Sequence, residues 1–438
     1  MLHHARIFAV ALFAATPLHA EIDIQQVTSE AGFEAWLVEE RSIPFVAIEV
    51  IFLGGAVLDD DDALGATSLM TELLSEGAGD LDTQGFAAAV EATAGSIRFD
   101  AGRDSVSLRL RALSENRDEV MALAHKALTE PRFDDAALNR VRARTIAALE
   151  RDARNPNTIA ARTFNALAFE GHPYSRPTDG TPDSVAALTR DDIVAAHEAA
   201  LTRDRVLVGA AGDISADELG ALMDELLSDL PEAAVDLPDY AEFTAPGGIT
   251  VVDHAGPQSV ISFGHAGLMR DDDDFMAAFV MNEIFGGGRF GTRLMHELRT
   301  VRGLTYGVGT SLASGQHGDS FQGRLSTDNA RAAEVVELLR AEWEWLAEGG
   351  ITQDDLARVQ TYLTGAFPLR FDGNASIAGV LASMQLQGFD IDYVNERNDL
   401  VRDVTLEDVE RVAERMIDPE GLHFVIVGRP QGLEELSF

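Results

Sequence analysis

Two side chains, Arg299 and Tyr306, stand where residue type and spacing could do chemistry. They lie in the stretch NEIFGGGRFGTRLMHELRTVRGLTYGVGT, residues 282–310. A guanidinium offers several fixed donors to a carbonyl or carboxylate, and a phenol can donate to an oxygen that gains negative charge. Spacing alone also allows a plainer role, with Arg299 complementing a helix dipole and Tyr306 serving as a strand aromatic. Other chemistries are missing. No H-x-x-E-H or H-E-x-x-H occurs; the nearest approach, His197-Glu198-Ala199-Ala200-Leu201, ends in leucine and reads as a surface helical segment. There is no Gly-x-Ser-x-Gly elbow, and GGGRFGTR lacks the Gly-Lys-Ser/Thr ending of a phosphate loop. With no cysteine, disulfides, thiol catalysis and Cys-ligated zinc are excluded.

The elements around the pair follow from local pattern. Gly286, Gly287 and Gly288 should end one helix in a tight reversal. Leu294, Leu298 and Val301 recur at helical spacing and predict a second helix with one apolar face. Gly303 suits its C-cap, and Tyr306 opens a strand-like run.

The whole chain is a repeat. The quartets Asp59 to Asp62 and Asp271 to Asp274 are 212 residues apart, each after an alternating apolar run and before a helical pattern. They read as solvated turns and helix starts. Residues 133–149 answer 352–367, and 188–201 answer 404–417. Thr189 with Asp192, Thr352 with Asp355 and Thr405 with Asp408 mark capping-box starts. The fold expected is α+β, two homologous mixed halves, each a sheet covered by helices. Residues 231–248 (PEAAVDLPDYAEFTAPGG) lack periodicity and predict an exposed linker between an N-terminal domain, 21–230, and a C-terminal domain, 249–438.

Composition narrows the partners. Seventy-three acidic residues against 34 basic give a formal charge of −39, which argues against a nucleic acid, since phosphate binding rests on Lys and Arg. Arg6, the apolar run 7–15 and Ala20 have the layout of a signal peptide over residues 1–20, so an exported, periplasmic or secreted protein is expected. The run is too short to span a bilayer, and no stable membrane insertion is expected.

Three further stretches carry a resemblance: HPYSRPTDGT (172–181), TRLMHELRTVRGLTY (292–306) and FPLRFDGNASIA (367–378). With the tandem repeat, they resemble the pitrilysin/insulinase family of zinc peptidases, the inverzincins. That resemblance implies a two-domain clamshell and a first-half H-x-x-E-H on a helix. Here the helix reads GATSLMTELL (65–74). Ser68 and Glu72 would stand at the two histidine positions and Thr71 at the catalytic glutamate, with Glu150 near the third ligand. One carboxylate and no imidazole do not make a two-His, one-Glu zinc site, so no metal is expected on this chain. Arg299 and Tyr306 would match the arginine and tyrosine that reach from the second half toward substrate. Two-chain members divide this labour, so the resemblance implies a homologous zinc-bearing peptidase subunit as partner, with zinc on that partner and a peptide as substrate. A catalytically inactive peptide-binding or scaffold protein of the same fold is the alternative.

Overall fold

The computed structural model describes residues 22–435; the signal-peptide expectation for residues 1–20 lies outside them. Eleven strands are present among the described residues: β1 (Gln25–Thr28), β2 (Glu34–Glu39), β3 (Phe45–Leu53), β4 (Ser96–Ala101), β5 (Ser105–Leu113), β6 (Val206–Gly212), β7 (Gly248–Asp253), β8 (Gln258–Ala266), β9 (Val308–Ser314), β10 (Asp319–Asp328) and β11 (His423–Gly428). They form two sheets, ordered β1-β2-β6-β3-β5-β4 and β7-β11-β8-β10-β9. Once β1 is set aside, the two orders are the same. In each, the last strand of the half runs parallel to its first strand and antiparallel to the next. The repeat in the sequence is therefore a repeat of topology, two mixed sheets covered by helices. The three capping boxes form as the pattern predicts, at Thr189, Thr352 and Thr405.

Strand β3 is apolar almost throughout and β8, though it carries two serines and a histidine, is buried over most of its length, because both of their faces are covered. One face packs on helices of the same half. The other meets a helix lent by the opposite half: Asn374–Leu386 lies on β3 and β6, and Pro156–Ala168 lies on β8 and β11. The sequence of β6, VLVGAAG, explains how the first of these fits. Small side chains let the helix press onto the strand, with Ala47, Ala211 and Ala378 forming one buried group. A Cβ on Gly209 would come within 2.3 Å of the Ala378 carbonyl oxygen. On the other side, Ala160, Phe164 and Ala168 bury against Val260, Val425 and Val427.

Three expectations need correction. The linker forms no helix or extended strand and is exposed over much of its length, as expected, yet it is tethered to both halves rather than loose. Tyr240 Oη donates to Asp319 at 2.6 Å, the Thr244 amide donates to the Ala168 carbonyl, and Phe243 packs against Phe164 and Phe169. Its beginning, residues 231–236, is largely exposed, and so are Asp239, Tyr240, Glu242, Thr244, Pro246 and Gly247, while Ala241 and Ala245 are buried. Nor is the first acidic quartet solvated throughout: Asp59 is buried, accepting from the Gly65 and Thr67 amides and the Thr67 hydroxyl. Desolvation raises its pKa even against those bonds. His197 is half-buried, with Nε2 donating to the Leu128 carbonyl at 2.7 Å and its ring edge-on to Phe133.

The second core contains a titratable ring. His265 is 2% exposed and lies beside Phe321 and Trp343. Its Nδ1 donates to the Ala266 carbonyl, while Nε2 has no partner. Desolvation pushes its pKa below the usual imidazole value. The folded ring therefore stays neutral where the unfolded chain takes up a proton, and stability is lost as pH falls below about 6.5. His265→Phe keeps the aromatic volume and removes the titration. Between about pH 7.5 and about pH 5 the Tm of the unsubstituted protein should fall more steeply than that of His265→Phe. Parallel curves would show that His265 does not contribute to the acid limb.

Candidate functional site

The glycine turn forms as its composition demands. The helix Phe275–Phe285 ends at Gly286, whose carbonyl accepts from the Thr310 amide of β9 at 2.7 Å. A Cβ at Gly286 would sit 2.2 Å from Thr310 Oγ1, so only glycine lets the turn lie on β9. Gly303 takes φ +61, fitting a helix terminator.

The helix between these glycines departs from expectation. Over Met295–Val301 it is a π-helix, with hydrogen-bonded turns one residue longer than α. Leu294 and Leu298 are buried as the α spacing predicts, but Val301 is 56% exposed because the wider turn rotates it out of phase. Tyr306 also lies outside the strand, on the loop before β9.

That loop places the pair in one unit. Arg299 Nη1 donates to the backbone carbonyl of Tyr306 at 2.6 Å, and its guanidinium stacks over Phe290 with the Cζ 4.8 Å from the ring centroid. Thr305 Oγ1 braces the next residue by bonding to the Gly307 carbonyl. Arg299 thus holds the Tyr306 backbone, while the Tyr306 residue remains 85% exposed. Phe290 was not singled out in the sequence, although it lies in the glycine-rich stretch. Tyr306 lines a cavity of 870 Å³ between the lent helix Pro156–Ala168 (Asn157, Ala161, Asn165) and strands β8 to β10.

The positions aligned with a metal site are occupied otherwise. Ser68, on the helix Ala66–Leu73, donates from Oγ to Asp179 at 3.1 Å. Thr71 is buried and donates to the Thr67 carbonyl, so its hydroxyl is satisfied within its own helix. Glu72 forms an ion pair with Arg144 of the helix Asp135–Asp152 at 2.5 Å. A cation therefore stands beside the carboxylate on the facing helix. Glu150 lies six residues beyond Arg144 and so about 240° around that helix from the face that meets Glu72. The structure brings Ser68 and Glu72 onto one helix face but does not bring Glu150 to them. Among the described residues no group of three or more His, Asp or Glu is placed to hold a metal ion. The residues present do not fit zinc, which needs several convergent anionic or imidazole donors.

Asp179 and Arg144 are the residues that sequence reading missed. Asp179 sits inside the HPYSRPTDGT stretch, where its position could have drawn notice; Arg144 carries no local signal. Asp179 lines a second cavity of 340 Å³. Asn157, Ala161, Asn165 and Arg324 line both cavities, so Asp179, the acceptor of the Ser68 hydroxyl, and Tyr306 open onto adjoining parts of one cleft between the halves. The rest of the HPYSRPTDGT loop is structural. Tyr174 is buried with its hydroxyl on Asp104, and Arg176 pairs with Asp61 and the Val57 carbonyl.

Comparison with known proteins identifies the family and the fold. The family model described as Insulinase (Peptidase family M16) matches residues 36–182, and that described as Peptidase M16 inactive domain matches residues 187–363. The chain is 25% identical over 411 residues to the Non-peptidase homolog YmxG of Helicobacter pylori, across 94% of this chain and 95% of that one. It is 23% identical over 367 residues to the Uncharacterized zinc protease SCO5738 of Streptomyces coelicolor, across 81% and 79% of the two chains. A crystal structure of a peptidase M16 inactive domain from Pseudomonas fluorescens superposes with a TM-score of 0.87 at 26% identity, covering 94% of this chain and 98% of that one. Matched by the models of both halves and sharing this fold over nearly its whole length, the chain belongs to the M16 (insulinase) peptidase family.

Proposed function

We propose that this chain is the non-zinc subunit of an exported two-chain peptidase, lending Arg299 and Tyr306 to peptide bound at a homologous partner's zinc. One observation carries the reading. Arg299 fixes the Tyr306 backbone on the rim of the 870 Å³ cleft and leaves the residue exposed, while among the described residues no group of donors is placed to hold a metal. A tyrosine held from behind and open in front is placed to act on something the chain itself does not supply. Its hydroxyl would donate to the scissile carbonyl as charge develops there. Peptide would lie in the cleft between the halves. The sequence similarity to a protein named as a non-peptidase homolog supports inactivity of the single chain. That same name favours a second reading, a scaffold that binds peptides without taking part in their cleavage.

Reconstitution separates the two. Mixed with a zinc-bearing subunit that has H-x-x-E-H, this chain should raise peptide hydrolysis well above that of either chain alone. If the partner's rate is the same with and without it, the scaffold reading takes over. Metal analysis gives a further expectation: the dialysed single chain should retain no stoichiometric zinc, because Ser68, Thr71 and Glu72 occupy the ligand and base positions. About one tightly held zinc per chain would overturn the alignment of that helix. Export, proposed from residues 1–20, is checked by finding the mature N-terminus near Glu21 in the periplasmic or extracellular fraction.

A further inference from the structure

On the opposite side of β9 from the 870 Å³ cleft, a cavity of 610 Å³ lies between the helices Phe275–Phe285, Asn374–Leu386 and Tyr393–Asp403. Three arginines line it, Arg270, Arg370 and Arg397. Among the described residues none of the three is ion-paired with a carboxylate. That is unexpected in a chain with 73 acidic and 34 basic residues, where a partner is easily supplied. Arg397 is 5% exposed, with Nη1 donating to the Leu363 carbonyl and its Cζ 4.7 Å from the Phe367 ring centroid. Arg270 lies over Phe275 at 4.2 Å and Phe389 at 5.5 Å, and its buried Nε has no hydrogen-bond partner. Arg370 is exposed and makes no hydrogen bond. The phenol of Tyr393, stacked on Phe389 at 3.8 Å, is within electrostatic reach of all three.

The one carboxylate in the lining is already committed. Glu283 pairs with Arg289 at 3.2 Å, and the same guanidinium donates to the Glu283 carbonyl. The cavity also receives the start of the helix Asn374–Leu386, which has no side-chain cap and whose Ala375 and Ser376 are part of the lining. The uncapped helix start and the three cations border the same space, and both favour an anion. The carboxylates within electrostatic reach, Glu283 of Arg370 and Arg397 and Asp319 of Arg270, are bonded to Arg289 and Tyr240 and make no ion pair with the three. A desolvated guanidinium without a paired counter-charge is costly to keep. The remaining lining is apolar or aromatic, including Met276, Phe279, Leu312 and Val380.

We propose that this cavity binds an organic carboxylate with a hydrocarbon or aromatic body, the carboxylate bridging Arg270, Arg370 and Arg397 and the body lying among the phenylalanines. A stacked guanidinium presents its edge, and that planar fork matches a carboxylate. The chemistry has two possible sources, a peptide's C-terminal residue or a free carboxylic acid. The proposal does not rest on the peptidase reading and holds equally for a scaffold.

The test is calorimetric titration of the full mature chain with matched pairs: 4-phenylbutyrate against its amide, and a hexapeptide ending in phenylalanine with its C-terminus free or amidated. The acids should bind about tenfold or more tightly than the amides. Arg370→Ala, at an exposed and unbonded site, should weaken the acids by about tenfold and leave the melting curve unchanged, and Arg270→Gln should do the same to the acids. Tighter binding of the free-terminus peptide than of phenylbutyrate assigns the source to peptides; the reverse assigns it to free acids. Either order supports the site. Equal affinity for acid and amide, no binding of any probe at millimolar concentration, indifference to Arg370→Ala, or tighter binding of phenyl phosphate than of phenylbutyrate would each overturn the proposal.

Discussion

Tyr306→Phe should lower peptide turnover by the reconstituted two-chain complex about 10²-fold or more, the scale of losing one oxyanion donor. The substitution removes a single hydroxyl from a residue that is 85% exposed, so it leaves no buried gap. The Arg299 bond goes to the backbone carbonyl of residue 306, so the loop geometry survives the change. Assembly and zinc content should therefore be unaltered, and the loss should appear in kcat. Arg299→Lys acts differently. It keeps the charge but loses the planar group that both bonds the carbonyl and stacks on Phe290. It should loosen the loop that carries Tyr306 and cost less than the loss of the hydroxyl itself. The measurement is steady-state hydrolysis by complexes of equal zinc content and equal heterodimer yield. Full activity in both variants would make the pair structural.

The largest stability effect is expected at Phe164→Ala, about 3–5 kcal/mol in chemical or thermal unfolding. Phe164 is 2% exposed, on the helix that the first half lends to the second sheet. The sheet is shaped for it: Gly264 of β8 leaves room where a Cβ would come within 2.9 Å of the Phe164 Cζ. Truncation removes the contacts with the strands and with Phe243 and leaves a void that joins the 870 Å³ cleft Phe164 also lines. A loss below about 1 kcal/mol would mean that this helix contributes little to holding the halves together.

What the sequence revealed was local. A capping box needs residues three apart, so Thr189, Thr352 and Thr405 were legible, as was Gly303. The topological repeat was legible because each half repeats the same order of apolar runs. Whatever depended on distant packing was hidden. Asp59 looks like its three acidic neighbours in sequence and differs only in the amides that close over it. Val301 obeys the α spacing, and only the π-helical turn turns it outward. The lent helices carry no mark of which sheet they will cover, since the choice is made by contacts such as those of Asn374 and Gln385, which span 329 and 177 residues. In the site, Tyr306 and Arg299 were found as residue types, but the bond between the guanidinium and the Tyr306 carbonyl, and the Arg144 cation beside Glu72, were not.

The exchanged helices make the chain equivalent to a symmetric dimer whose two subunits have been fused, with one isologous interface turned into the interior of a monomer. In such an arrangement, neither half can be discarded when its chemistry lapses. The Ala66–Leu73 helix of the first half carries Ser68, Thr71 and Glu72 and no histidine, yet that half still supplies the Pro156–Ala168 helix that closes the second sheet. Deleting it would strip Val260, Val425 and Val427 of their cover. Catalytic decay in one half is therefore silent to the fold, while loss of that half would not be. A chain built this way can shed a metal site residue by residue and still present an intact loop from the other half.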